Sequence, residues 1–143
     1  MPYEFLEDVA IADVAFRASG ASLEDLLTSA ADATMNAMVD DLSTIARMTQ
    51  KPVAVEADEE DWLLVHFLQE IIYYKDAHTL LLRPERLRIE RRDHHLELQG
   101  VLSGEPINPK KHALKVDVKA VTFHRLKVER TARGWEAMVV LDV

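Results

Sequence analysis

The order of helical and extended patterns along the chain limits the fold more than any other feature of the sequence. Ser22 has the character of an N-cap with Asp25 three residues later, and the apolar residues behind it recur with helical spacing to about Asp40. A second helical pattern follows Asp58, which we expect to be its N-cap, and should end near residues 75–77. These patterns predict two amphipathic helices, each with an apolar face that must be covered.

Alternating apolar and polar residues predict strands on both sides of these helices. An early hairpin is expected to turn near Asp93, and a later one at Ala132-Arg133-Gly134. The predicted strands are residues 13–19, 51–57, 87–92, 95–104, 114–124 and two more within residues 126–143. The order strand, helix, strand, helix and then several strands predicts an α+β fold, a single two-layer domain over residues 1–143 with two helices packed on a mixed or antiparallel β-sheet.

Composition excludes several classes of chemistry. The chain has no cysteine, which removes disulfides, thiolate metal sites and thiol nucleophiles, and is compatible with a reducing, cytoplasmic location. No apolar run approaches the roughly 20 residues that cross a bilayer, and the first residues lack the features of a signal peptide, so we expect no membrane association.

The net charge also restricts the partners. The formal charge of -8 disfavours tight, autonomous RNA binding, because phosphate neutralisation by basic residues supplies most non-specific affinity. Two local basic stretches, "RPERLRIERR" and "NPKKHALK", are best explained as solvated surfaces. We find no P-loop, no Gly-x-Gly-x-x-Gly and no recognisable nucleophile turn.

The acids at strand ends are more informative. Asp13 opens a predicted core strand, Asp142 nearly closes another, and the carboxylate of Val143 follows it. If the two strands are neighbours, these oxygens converge and need a cation, and oxygen ligands without cysteine suit Ca²⁺ or Mg²⁺. The alternative is that Asp13 and Asp142 are ordinary exposed strand ends, one of them paired with a lysine. Among the histidines, His124 is the best candidate for a functional role because it follows a strand.

A long central stretch resembles a known family. "GEPINPKKHALKVDVKAVTFHRLKVER" is similar to the archease signature, in which Gly-Glu-Pro precedes a charged loop with a histidine, here His112, and then a strand, here residues 118–124. The opening "YEFLEDVAIADVAFRASGASLEDLL" and the ending "GWEAMVVLDV" resemble the two ends of that family in the same order. The likeness covers nearly the whole chain.

The chain departs from the family pattern at several positions. Where the family usually has His-Thr-Ala-Asp-(Ile/Val)-Gly, this chain has "AIADVA", which keeps Asp13 but loses the histidine, threonine and glycine. A role of that histidine therefore does not carry over. Asp117 stands where glutamate is common, and Phe123 where tyrosine is common.

The resemblance implies an accessory protein rather than an enzyme. Archeases are expected to promote guanylylation and repeated turnover of the RtcB-type RNA ligase, which seals tRNA halves, so tRNA would be met only through the ligase. The family's metal site, usually assigned to calcium, carries over onto Asp13, Asp142 and Val143. Lys119 is the residue expected to reach the ligase or its nucleotide, and three further candidates for partner contact are Asp117, His112 and His124.

Two other functions stay open. One is a stand-alone metal-dependent hydrolase of phosphate esters, in which a cation beside His124 and Lys119 activates water. The other is a chaperone or modulator of a different tRNA-modifying enzyme, such as a methyltransferase, whose basic surface would suit the acidic charge of this chain.

Overall fold

The strands and helices fall in the predicted order, and the α+β class is confirmed. The computed structural model describes residues 2–7 and 13–143. In chain order the elements are β1 (Tyr3–Leu6), β2 (Val14–Gly20), α1 (Leu23–Met38), a 3₁₀ turn (Leu42–Thr44), β3 (Thr49–Ala57), α2 (Glu60–His78), β4 (Leu80–Arg92), β5 (His95–Pro106), β6 (Ala120–Val121), β7 (Lys127–Thr131) and β8 (Gly134–Asp142). The strands form two antiparallel sheets. One sheet has the order β1-β2-β8-β6, with β7 also paired to β8, and the other has the order β3-β5-β4.

Helix α1 begins where the sequence predicts. The Ser22 hydroxyl accepts a hydrogen bond from the Asp25 backbone N–H at 3.0 Å, so the cap satisfies one of the free donors of the first turn. The apolar face of the helix packs on β2 and β4, and small side chains such as Ala30 and Ala33 are fully buried in that contact. Close approach of the helix to the strands is possible because these side chains are short.

The N-cap prediction for α2 is wrong. Glu59 is the N-cap, without a side-chain hydrogen bond, and the carboxylate of Asp58 instead contacts the ring of His95 on β5 at 2.8 Å. The side chain of Asp58, which the local sequence predicts to cap the helix, therefore binds a partner on a distant strand instead. The helix ends close to the predicted position, at His78, and Thr79 follows it with a left-handed φ of 51°.

The central hairpin turns as predicted. Asp93 and His94 both have positive φ, at 43° and 65°, and link β4 to β5. Further along this pair the two strands approach so closely that a Cβ at Gly104 would lie 1.7 Å from the Leu81 carbonyl oxygen. Glycine at position 104 is therefore required by the backbone contact.

The predicted strand over residues 114–124 is mostly wrong. Only Ala120–Val121 forms a strand, β6, which pairs with Asp142 and Leu141 of β8. Because β8 ends at Asp142, the residues before Ala120 lie past its end and have no strand partner there. The Lys115 N–H donates to the Met38 carbonyl at 2.8 Å instead, which holds this segment against the end of α1.

The core lies where the helices meet the two sheets. Both sheets contribute buried side chains to one apolar cluster, including Phe16 on β2 and Leu98 on β5, with Phe67 and Ile71 of α2 against them. In the part of the chain that the structure describes, no helix has the length and apolar character needed to cross a membrane.

Candidate functional site

The acids at the ends of β2 and β8 lie at one end of the same strand pair. Val14 pairs with Leu141, Asp13 directly precedes Val14, and Asp142 directly follows Leu141. On the other side of β8 the Lys119 N–H donates to the Asp142 carbonyl at 2.8 Å. We call this group, formed by Asp13, Lys119, Asp142 and Val143, the strand-end corner. The neighbouring strands on which the metal prediction depends are therefore present.

In the part of the chain that the structure describes, no positive side chain pairs with the carboxylates of the corner. Within residues 2–7 and 13–143, neither Asp13 nor Asp142 takes part in an ion pair or a side-chain hydrogen bond. Asp142 is exposed, and Asp13 and Val143 are half-buried. Asp13, Asp142 and the main-chain oxygens of Val143 are oxygen donors of the kind that a hard cation takes.

A shallow pocket of about 390 Å³ adjoins the corner at Asp13. Its walls are largely apolar, and Lys115 reaches across it so that its Nζ lies 5.7 Å from the centre of the Phe5 ring. The lining residues are Phe5, Leu6, Glu7, Asp13, Val14, Ala15, Ala37, Lys115 and Val116. The corner thus combines an acidic edge with an apolar surface. Of the altered motif "AIADVA", residues 10–12 lie outside the described residues.

A second group is built around two buried motif residues, Glu105 and His112. Glu105 Oε2 accepts hydrogen bonds from the Ala46 N–H at 2.8 Å, Lys111 Nζ at 2.7 Å and His112 Nε2 at 2.9 Å. We call this group, formed by Ala46, Glu105, Lys111 and His112, the Glu105 clamp. Hydrogen bonds from Lys111, from the Ala46 backbone and from His112 lower the pKa of the Glu105 carboxyl to about 2. Glu105 is therefore ionised at neutral pH.

His112 belongs to this clamp and is buried. Its Nδ1 accepts from the Asn108 N–H at 3.0 Å, so Nε2 carries the proton that is donated to Glu105. The ring closes the loop of residues 107–113 on itself and ties it to β5. The structure thus places the candidate His112 away from the surface and apart from the strand-end corner.

Asp117 is held by a buried lysine. Lys75 Nζ, at the end of α2, donates to the Asp117 carboxylate at 2.5 Å and to the Val118 carbonyl at 2.8 Å, and pairs with Asp76 at 2.6 Å. Burial opposes the charge on Lys75, but the hydrogen bonds that it donates to Asp117 and Asp76 outweigh this effect and raise the pKa of the ammonium. This contact fixes the approach of the chain to Lys119.

His124 lies past β6, on the surface. Its N–H donates to the Thr122 hydroxyl at 3.3 Å, and the neighbouring Phe123 ring packs against Trp62 of α2, with the ring centres 4.9 Å apart and the planes inclined by 50°. Phe123 and Trp62 are 56% and 47% exposed, an unusual degree for large apolar side chains that are not in a binding surface. His124 and Lys119 are both free of ion pairs in the described chain, but they stand at different ends of the β6 segment.

Sequence reasoning missed two residues that organise the site. Glu105 was noted only as part of Gly-Glu-Pro, although a glutamate that ends a core strand needs a partner when buried. Lys75 continues the helical spacing of the apolar residues of α2, and this spacing could have predicted that its side chain is buried. Neither partner could be named, because both pairs join distant parts of the chain.

The fold and the site together define a small α+β protein of two antiparallel sheets, with a strand-end corner that carries two aspartates and, apart from it, a loop tied down by a buried glutamate. Comparison with known proteins agrees with this description. The profile of the Archease protein family (MTH1598/TM1083) matches residues 3–143. The chain therefore belongs to the archease family.

Individual relatives extend over the same length. A protein archease of Methanosarcina acetivorans is 33% identical over 99% of this chain and 95% of its own, and one of Pyrococcus furiosus is 33% identical over 92% of this chain and 93% of its own. The solution structure of protein 1598 of Methanobacterium thermoautotrophicum superposes with a TM-score of 0.85 at 29% identity and covers 99% of each chain. A Thermotoga maritima crystal structure, described as an archease and possible chaperone, has a TM-score of 0.61 at 23% identity over 96% of each chain and shares the fold.

Proposed function

We propose that this protein is a non-catalytic activator of an RtcB-type RNA ligase, acting in the cytoplasm and promoting guanylylation and repeated turnover of the ligase during tRNA splicing. Membership of the archease family over residues 3–143 supports the class of function. The observation that carries the proposal is the strand-end corner, where Lys119 meets Asp142 at an exposed edge. The acidic net charge suits contact with an RNA enzyme, so tRNA would be bound by the ligase alone.

The corner is proposed to hold a calcium-type cation, with magnesium as the alternative. Asp13, Asp142 and the main-chain oxygens of Val143 would be the protein ligands, and hard cations prefer such oxygens. The bound ion would neutralise the two carboxylates and fix the geometry of the corner. The ion would have a structural role at this surface and no catalytic one. The Lys119 side chain would remain free to reach an anionic group of the ligase or its nucleotide.

The direct test measures ligation with the ligase limiting. RNA halves bearing 2′,3′-cyclic phosphate and 5′-hydroxyl ends are incubated with ligase, GTP and metal, with or without this protein. We expect product to exceed the ligase concentration only when the protein is present, together with faster formation of the guanylylated ligase. Equal product in both reactions would contradict the proposal.

Lys119→Ala separates function from folding. An exposed lysine contributes little to stability, so this variant should melt within the usual range for a surface substitution and yet fail to stimulate the ligase. Lys110→Ala, an exposed lysine in the loop outside the corner, is the matched control and should stimulate normally. Full stimulation by Lys119→Ala would remove this residue from the proposal.

Metal binding is tested on the protein alone. A cation that binds the native state raises the melting temperature of the unaltered protein. Asp142→Asn keeps the shape of the side chain but removes one charge, so Ca²⁺ should no longer raise the melting temperature of this variant. Asp93→Asn, at the tip of the β4–β5 hairpin, is the control and should keep the calcium effect. A melting temperature of the unaltered protein that ignores calcium, magnesium and strong chelators would contradict the metal site.

The other two functions are distinguished in the same experiments. Hydrolysis of cyclic-phosphate RNA ends by the purified protein without ligase would identify a metal-dependent hydrolase. If this protein activates a methyltransferase or another tRNA-modifying enzyme and not the ligase, it is a modulator of that enzyme. Either result would replace the ligase proposal.

A further inference from the structure

A second group of metal-ligating side chains lies on the three-stranded sheet, away from the strand-end corner. Glu56, His95 and Glu97 each offer one ligand atom, and these atoms lie within 4.8 Å of one another. Glu56 on β3 stands directly opposite Glu97 on β5, and His95 is two residues before Glu97 and so shares its face of the sheet. Paired strands therefore hold all three side chains together.

Among the residues that the structure describes, no lysine or arginine forms an ion pair with Glu56 or Glu97. Two glutamates directly opposite each other on neighbouring strands repel and destabilise the pair. Of the arginines nearby, Arg88 and Arg92 both form ion pairs with Glu90, and the charge of Arg92 also acts on Glu97 at longer range. Within the described ranges, the one ion pair of Glu56 is to His95 Nε2 at 3.4 Å. Glu97 has none there.

Asp58 orients the histidine ring toward the two glutamates. Its Oδ1 lies 2.8 Å from His95 Nδ1, which donates to it in the neutral ring, so Nε2, 3.4 Å from Glu56, is the nitrogen left to bind an ion. Metal-bound histidines are commonly oriented by a carboxylate in this way.

We infer that Glu56, His95 and Glu97 form a binding site for a divalent transition-metal ion of the zinc class. One imidazole and two carboxylates are ligands that Zn²⁺ accepts, whereas Ca²⁺ takes oxygen ligands alone, so this site differs in chemistry from the strand-end corner. Asp58 is a positioning residue. Glu56 and His95 line a depression of about 410 Å³ beside Trp62 and His66, which leaves room for an ion and its remaining water ligands.

The test titrates Zn²⁺ into metal-free full-length protein by calorimetry. We expect one saturable zinc site per chain, weakened by at least about tenfold in His95→Ala and in Glu97→Gln, because each substitution removes a ligand. Asp58→Ala should weaken binding by about 10- to 100-fold through loss of ring orientation. With Co²⁺ as the probe, the visible absorption of the bound ion should appear with the unaltered protein and be lost in His95→Ala.

Matched variants decide what the result means. His94→Ala removes the neighbouring exposed histidine, and Glu129→Gln removes a strand glutamate of the other sheet, so both should bind Zn²⁺ like the unaltered protein. Asp142→Asn should lose the calcium effect and keep zinc binding, which separates this inference from the proposed function. Glu97→Gln preserves side-chain shape and guards against a failure of His95→Ala to fold. No saturable zinc binding, or equal binding by His95→Ala, Glu97→Gln and the unaltered protein, would overturn the inference.

Discussion

Two halves of one sequence motif have opposite environments. In the first half, Glu105 and His112 of the clamp are buried, and each of their polar side-chain atoms has a partner. In the second half, residues 114–117 and the segment after β6 place apolar and charged side chains at the surface. The comparison teaches that likeness to a family signature does not distinguish residues that build a loop from residues that the loop presents.

The largest expected effect comes from the backbone contact at the start of the motif. Gly104→Ala would place a Cβ 1.7 Å from the Leu81 carbonyl, and neither strand can move without breaking the β4–β5 pair. We expect a loss of more than about 3 kcal/mol, above the usual cost of overpacking, because the obstacle is backbone. Urea unfolding, or the yield of folded protein, measures it. A Gly104→Ala variant of normal stability would show that the strands are less constrained.

The clamp itself is broken by His112→Ala. The variant removes a buried ring and leaves the Asn108 N–H without its acceptor, so we expect a loss of about 2–4 kcal/mol in the free energy of unfolding. His94→Ala, at the exposed hairpin tip, should change stability by less than about 0.5 kcal/mol. If His112→Ala is stable but cannot stimulate the ligase, His112 has a functional rather than a structural role.

A matched pair of valines sharpens the boundary between the two halves. Val118 is 0% exposed and Val116 is 42% exposed, although a regular strand would bury both. Val118→Ala should cost about 1.5–3 kcal/mol, since it removes buried apolar groups, whereas Val116→Ala should stay within about 0.5 kcal/mol. Equilibrium unfolding in urea compares them. Equal costs would restore the regular strand that the alternation predicts.

The pH dependence of stability tests the clamp with the smallest change in structure. Because the pKa of Glu105 is lowered from 4.5 to about 2, its ionised form stabilises the native state above pH 4.5, and this stabilisation is lost as the pH falls toward about 2. Glu105→Gln should therefore lose less stability than the unaltered protein across that range. Unfolding midpoints measured over a pH series, with Glu129→Gln as control, report this. Parallel curves for all three proteins would contradict the role of Glu105.

Local patterns in the sequence predicted the elements that depend on local contacts. The Ser22 cap, the end of α2 and the hairpin turn at Asp93 and His94 each involve residues a few positions apart, so spacing and turn chemistry are sufficient to place them. The order of the elements likewise indicated the α+β class, because each apolar face must find a cover. The metal prediction at Asp13 and Asp142 followed from their places at strand ends, and it stays a prediction.

The sequence by itself determined where helices, turns and most strands form, and which family the chain resembles. Only the tertiary structure decided which side chains are buried and which meet. The partners are far apart in sequence: Glu105 and Ala46 are separated by 59 residues, and Lys75 and Asp117 by 42. Asp58, predicted to cap α2, instead contacts His95, 37 residues away. The physical reason is that burial and ion pairing depend on the register between strands and on where a strand ends. A periodic pattern in the sequence specifies neither the register nor the strand end. Val116 is therefore exposed despite the regular alternation, because β8 ends at Asp142 and offers it no partner.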